Sequence, residues 1–235
     1  MHEFDDESEE LVQSVFRYAL DRLRNQPPLD GPKSVDELQT LVGETITTAG
    51  LGATEVLRRY TDHLAPACIS ADHPRYLAFV AGAPTKAASV FDLVVGSSSL
   101  CGSTWLDGAG VIFAENQALR WIADLAGLPD SAGGCFVTGG TMGNLSALVT
   151  ARYDATEKQA TIGQPRPDRW AVVAAESAHS SVDSAARVMD VDVVLAAVDR
   201  DRRLRGDAVA EAITNRPTGT EVFAVNVTAG TTNLG

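Results

Sequence analysis

The chain has 235 residues, 45% of them hydrophobic and 21% charged, and its 19 basic and 31 acidic side chains give a net charge of −12. That length holds one large domain or one domain with an appendage. An acidic chain without a basic cluster argues against nucleic acid as a partner, and no apolar run reaches the ~18–20 residues that span a bilayer.

The start of the chain, with Glu3, Asp5, Asp6, Glu7, Glu9 and Glu10 and no base among them, is a solvated acidic run. It is the reverse of a secretory leader, so a cytoplasmic location is the default expectation. Residues 8–24 follow with Leu11, Val12, Val15, Phe16, Ala19, Leu20 and Leu23 on one helical stripe, and Arg17, Arg22 and Arg24 towards the end that suits the helix dipole. Asn25-Gln26-Pro27-Pro28 stops it. Ser34 with Glu37 three residues on is a capping box and opens a helix to about Val42. Ala53 to Leu64 reads as a third helix. These helices precede any strand, so residues 1–70 form an N-terminal arm or cap, and the amphipathic leading helix favours packing on a second copy, a homodimer.

From residue 71 the reading is a second domain. Proline after His73 predicts an extended segment, and Tyr76 to Val80 reads as a short strand or a buried loop. Helices are predicted from Pro84 to Val95 and from Leu106 to Leu128, the latter with Val111, Ile112, Ala118, Leu119, Ile122 and Leu125 inward. After residue 134 four short apolar runs, Cys135–Val137, Ala171–Ala175, Val193–Val198 and Val222–Val227, alternate with helical patterns at 142–153, 180–189 and 207–214. Strict alternation predicts an α/β fold with a mostly parallel sheet. Tyr153 to Arg169 reads as an exposed polar connector. Cys68, Cys101 and Cys135 are odd in number, widely spaced and set among apolar residues, which predicts buried free thiols and no metal site.

Three segments fall at the carboxyl ends of predicted strands, where open α/β sheets bind ligands. The first is Gly139-Gly140-Thr141-Met142-Gly143-Asn144. It is neither a dinucleotide fingerprint, since Thr138 stands where a glycine is required, nor a Walker A loop, since no Gly-Lys-Ser/Thr occurs. A glycine turn leading into a helix still aims free amides at an anion, and Thr141 adds a hydroxyl. The second segment carries His179 between Ser177, Ser180 and Ser181, and the third carries Gly230-Thr231-Thr232. A serine hydrolase fits poorly, because there is no G-x-S-x-G elbow.

Together with His73-Pro74-Arg75-Tyr76 and the helix Glu115 to Trp121, these segments resemble the group II pyridoxal-phosphate-dependent amino acid decarboxylases, the family of aromatic amino acid, glutamate and histidine decarboxylases. Five matches in the family's order carry the resemblance. It implies a fold-type I pyridoxal-phosphate-dependent transferase-like architecture, with N-terminal helices swapped across a homodimer and residues 71–235 forming the first part of the large cofactor-binding domain. It further implies decarboxylation of an L-amino acid to the amine and CO₂, with pyridoxal 5'-phosphate as cofactor. By position, Gly140 and Thr141 would hold the phosphate, and His179 would stack on the pyridine ring and help place or protonate the reacting carbon. Thr232 would sit near the substrate carboxylate. Phe79 to Gly82 would line the substrate pocket, with Gly82 its candidate contact.

The family also needs a lysine for the Schiff base with the cofactor and an acid for the pyridine nitrogen, both placed after the Gly-Thr-Thr turn. The only lysines here are Lys33, Lys86 and Lys158, none in a matching position. The sequence thus reads as the first part of a decarboxylase, its C-terminal part missing after the fourth strand, and inactive alone. Two other readings stay open: a different fold-type I activity such as an aminotransferase or lyase, and a noncatalytic module that holds a phosphorylated ligand.

Overall fold

A computed structural model describes residues 4–79 and 82–231. The chain divides into two compact units, Met1–Val111 and Ile112–Gly235.

In the first unit, local chemistry sets the helix limits. Helix α1 spans Asp6–Arg24, and its cap Asp5 accepts the Ser8 amide at 2.9 Å. Helix α2, Val35–Val42, has the capping box read from the sequence: the Ser34 hydroxyl accepts the Glu37 amide and the Glu37 carboxylate accepts the Ser34 amide at 2.8 Å. Helix α3, Ala53–Arg59, continues as a π turn, Tyr60–Leu64, and a 3₁₀ turn, Ala65–Ala67. Pro66 lacks the N–H that a regular α-helix would send back one turn, so the ladder changes pitch there. Arg22 makes a two-pronged pair with Asp72 at 2.6 and 2.9 Å, and Tyr18 meets Tyr60 edge to face with centroids 6.0 Å apart.

Residues 73–79 are neither a strand nor a buried loop. The Tyr76 amide donates to the His73 carbonyl at 2.8 Å, closing a turn, and Leu77 and Phe79 are 93% and 90% exposed. His73 itself is buried, its Nδ1 accepting the Arg75 amide at 3.1 Å. Phe79 takes a left-handed conformation with φ 60°, which a side chain with a Cβ adopts at a cost. Helix α4, Lys86–Ser98, has no buried residue. The Lys86 ammonium donates to the Leu23 carbonyl. Helix α5, Trp105–Leu125, is kinked at Gly108, where a Cβ would collide with the carbonyl oxygen of Cys101 and the Cα of Gly102. Glycine is required there because another stretch of backbone presses on it. Ala123 is the inward residue of its second half, whereas Ile122 and Leu125 are exposed.

The second unit is built on a three-stranded parallel sheet of order β2-β1-β3, with β1 Arg169–Ala175, β2 Asp192–Ala196 and β3 Thr220–Asn226. Six consecutive residues of β1, Trp170 to Ala175, are buried, which is why they read as one apolar run: a parallel strand covered on both faces needs no polar side. Val172 and Val173 are wholly enclosed and each contributes about 2 kcal/mol of burial. One face packs on helices α6, Gly140–Thr161, and α7, Ser181–Met189, through Leu148, Val182, Ala185, Ala186 and Met189. Helix α8, Gly206–Thr214, packs against β2 and β1. Phe223 is the extra residue of a bulge in β3, where it meets Trp170 edge to face at 6.2 Å.

Several expectations are corrected. Cys135–Val137 pairs with no strand among the described residues, so the sheet has three strands there rather than four. Apolar composition makes a segment fit to be a strand, but a ladder partner makes it one. The predicted connector from Tyr153 belongs to α6 as far as Thr161, held by the Asp154–Lys158 pair one turn apart at 2.6 Å. All three cysteines are exposed, not buried.

Candidate functional site

Helix α6 begins on a glycine that only glycine suits. Gly139 has φ 102° and ψ 167°, its amide donates to the Val137 carbonyl at 2.8 Å, and its own carbonyl accepts the Gly143 amide at 3.1 Å. The chain therefore turns sharply into the helix, and Gly140, Thr141 and Met142 form a first turn whose amides have no intrahelical acceptor. Gly139 caps the helix without a side-chain hydrogen bond, and no atom lies within 4 Å of where a Cβ on Gly139 or Gly140 would stand. The result is an open cradle of backbone donors beside the exposed Thr141. At the positive end of a long helix, such donors suit an anion of phosphate size.

Helix α7 begins next to this cradle. Ser180 is its cap residue and offers no side-chain bond. The ring of His179 takes over that duty: its Nδ1 lies 3.1 Å from the Ser181 amide and 2.8 Å from the Ser181 hydroxyl. Ser181 is only 2% exposed, and its hydroxyl accepts the Asn144 side-chain amide at 2.8 Å. Asn144 sits in the second turn of α6, so this bond ties the start of α6 to the start of α7 and fixes the His179 ring beside the cradle. The rest of that ring is exposed.

The third segment closes the same edge of the sheet. A cavity of about 430 Å³ lies at the carboxyl ends of β1 and β3, lined by Ala175, Ser177, Thr228, Gly230 and Thr231 and by the arginines of the β2–α8 loop. That loop is a small hairpin, with Val198 bridged to Leu204. The Asp199 carboxylate accepts the amides of Asp201 and Arg203, each at 2.9 Å, and the hydrogen bond from Arg203 first of all holds its carboxyl below the usual range. Arg202, left-handed at φ 64°, reaches Glu176 at 3.7 Å.

The structure thus joins Gly140, Thr141 and His179, through Asn144 and Ser181, and places Gly230 and Thr231 on the cavity at the ends of the neighbouring strands. Thr232 lies outside the described residues. Gly82 belongs to the first unit, exposed and with nothing within 4 Å of a built Cβ; Val80 and Ala81 beside it are outside the described residues. Sequence reasoning missed Arg202 and Arg203 as cavity residues, because only closure of the hairpin by Asp199 brings them there. Among the lysines, Lys158 is paired with Asp154 about 27 Å along α6 from the cradle at 1.5 Å per residue, Lys86 is held by the Leu23 carbonyl, and Lys33 is exposed in the first unit. Among the described residues no cluster of ligating side chains could hold a metal ion, and no helix is long and apolar enough to cross a membrane.

Comparison with known proteins gives one consistent picture. The family model described as "Pyridoxal-dependent decarboxylase conserved domain" matches residues 36–235. An aromatic-L-amino-acid decarboxylase of Bacillus atrophaeus is 30% identical over 220 residues, covering 92% of this chain and 44% of that protein. An L-2,4-diaminobutyrate decarboxylase of Acinetobacter baumannii is 22% identical, covering 96% of this chain and 47% of its own. Among solved structures, rice (Oryza sativa) TDC with PLP and tryptamine superposes with a TM-score of 0.82 at 22% identity, over 97% of this chain and 49% of its own. Mouse CSAD does so with a TM-score of 0.81, also at 22% identity, over 95% and 48%. At that identity the structural likeness establishes the fold. The chain spans about half the length of the relatives it matches.

Proposed function

The chain belongs to the pyridoxal-dependent decarboxylase family, and from that premise we propose that it supplies the phosphate grip and the ring-facing histidine of an amino acid decarboxylase. The protein that carries it converts an L-amino acid to the amine and CO₂, works as a homodimer in the cytoplasm, and takes pyridoxal 5'-phosphate as cofactor. One observation carries the reading: the free amides at the start of α6 and the exposed face of His179 are held side by side by the Asn144–Ser181 bond.

The donor set suits the cofactor. Backbone amides of Gly140, Thr141 and Met142 and the Thr141 hydroxyl are donors without a competing carboxylate, and the open space at Gly140 lets a phosphate oxygen approach the backbone. His179 offers a flat, accessible ring for a pyridine. When bound, pyridoxal phosphate supplies the electron sink that the departing CO₂ requires. This chain's residues bind and orient: the helix start neutralises the phosphate, His179 covers one ring face, Thr232 serves the substrate carboxylate, and Gly82 is the candidate substrate contact. The exposed apolar side chains of α4, among them Phe91 at 65% and Val95 at 59%, supply surface for further chain or a second copy to cover.

A specific observation favours a binding role for the chain by itself. Lys158, the one lysine of the second unit, stands about 27 Å along α6 from the cradle and so is out of reach of a cofactor held there. The test has two arms. The protein that carries this chain, given pyridoxal phosphate and a panel of L-amino acids, releases CO₂ and the amine; a keto acid in their place turns the reading towards an aminotransferase. The chain alone, reduced with borohydride in the presence of pyridoxal phosphate and mapped, carries no stoichiometric lysine adduct. Such an adduct with turnover would overturn the binding role.

A further inference from the structure

The hydrogen bonds around His179 fix which ring nitrogen carries its proton. The Ser181 backbone amide points at Nδ1 from 3.1 Å, and a backbone N–H can only donate. Nδ1 therefore accepts and has no hydrogen of its own in this arrangement. The neutral ring then holds its proton on Nε2. The Ser181 hydroxyl, 2.8 Å from the same nitrogen, shares that nitrogen's one lone pair with the amide as a second donor, since two bare acceptors at that distance would repel. Its own oxygen is then free to accept, and Asn144 Nδ2 donates to it from 2.8 Å. The sense of the whole relay, from Asn144 through Ser181 to His179, follows from the direction of one backbone amide.

Burial makes the relay firm. With Ser181 2% exposed, water is a poor substitute for either of its partners, and a buried hydroxyl left short of one is destabilising. Asn144 is half-buried on α6 and cannot turn its carbonyl to Ser181 without setting two acceptors against each other. The backbone at residue 181 is equally fixed, because it begins α7.

We infer that Asn144 and Ser181 are positioning residues that lock His179 in the Nε2–H tautomer, so that the ring meets a bound ligand as a hydrogen-bond donor through Nε2. Which ligand it meets rests on the proposed function; the tautomer does not. Under that function, His179 offers its Nε2 proton to an acceptor on the cofactor or substrate, and taking up a proton at Nδ1 requires it to break away from the start of α7. Part of the work of this histidine is thus set by Asn144, which acts on the ring through the Ser181 hydroxyl.

The test is a long-range ¹H–¹⁵N spectrum of the 235-residue chain labelled at histidine nitrogen, with His179 assigned by its loss in His179→Gln. The expected pattern is a protonated Nε2 and a bare Nδ1. In Ser181→Ala the ratio of the Nδ1–H to the Nε2–H form rises about fivefold, the factor carried by one hydrogen bond of ~1 kcal/mol. Ser181→Thr, which keeps the hydroxyl, restores the original ratio. A protonated Nδ1 in the unsubstituted chain overturns the inference, and so does a folded Ser181→Ala with an unchanged ratio. If Ser181→Ala fails to fold, the unsubstituted spectrum and Asn144→Asp decide: a carboxylate at 144 draws the Ser181 hydrogen away from Nδ1 and must move the ratio in the same direction. Failure of pyridoxal phosphate to bind, with the tautomer as stated, counts against the proposed function and leaves this inference standing.

Discussion

The side-chain amide of Asn144 lies 2.8 Å from the hydroxyl of Ser181, 37 residues further along the chain. One is in the second turn of α6 and the other is the first residue of α7, so a single bond brings two helix starts to the same edge of the sheet. Removing it leaves a buried hydroxyl short of a donor. Asn144→Ala is expected to lower stability by about 1–2 kcal/mol, read as a lower denaturation midpoint with an unchanged slope. An unchanged midpoint would mean that the bond does not hold the two helices in register.

The two glycines of the cradle separate conformation from access. Gly139 has φ 102°, a region closed to side chains, so Gly139→Ala costs roughly 1–3 kcal/mol of stability. Gly140 is not in that region and has open space around it. Gly140→Val should fold nearly as well and lose about tenfold or more in affinity for pyridoxal phosphate, because its methyl groups occupy the phosphate's approach. Paired denaturation and binding curves check both; a Gly140→Val chain that binds normally would remove the cradle from the site.

The first unit should be sensitive to acid. Hydrogen bonds from Arg22 hold the Asp72 carboxyl below the usual range, and the Arg58 and then Arg59 guanidiniums hold Glu55 at about 2 against an ordinary 4.5. A depressed carboxyl stabilises the folded state fully above its unfolded value, and that contribution is lost as the pH falls through the folded value. For Glu55 the loss falls between about pH 4.5 and 2, and for Asp72 it falls below its ordinary 3.8. Both carboxylates are partly open to water, so added salt weakens the effect. Circular dichroism melts over that range should show a steeper fall for the natural chain than for Asp72→Asn, and equal slopes would contradict the assignment.

Features set by neighbours in sequence were legible without coordinates. The capping box at Ser34 and Glu37 and the stop after Arg24 need only local hydrogen bonds and proline geometry. The strand at Ala171–Ala175 was legible because both its faces are covered, which leaves five apolar residues in a row. Cys135–Val137 has the same texture and is no strand, since pairing depends on a partner that composition does not name. The long tail of α6 was hidden by its polar residues, although Asp154 and Lys158 at helical spacing were a signal in plain view. The parts of the site were visible singly. Their union through Asn144 and Ser181 was not, because the bond depends on how two helices cross the sheet. Arg202 and Arg203 reach the cavity for a similar reason.

In the proposed function, the start of α6 and the ring of His179 form one grip for the phosphate and ring of pyridoxal phosphate. The most direct measurement is a ¹H–¹⁵N titration of the chain with pyridoxal phosphate and, separately, with pyridoxal. Saturable shifts are expected at the amides of Gly140, Thr141 and Met142 and at the His179 ring with the phosphate ester, and far weaker ones with pyridoxal. Shifts of equal size with both compounds, or shifts that spare the first turn of α6, would contradict it.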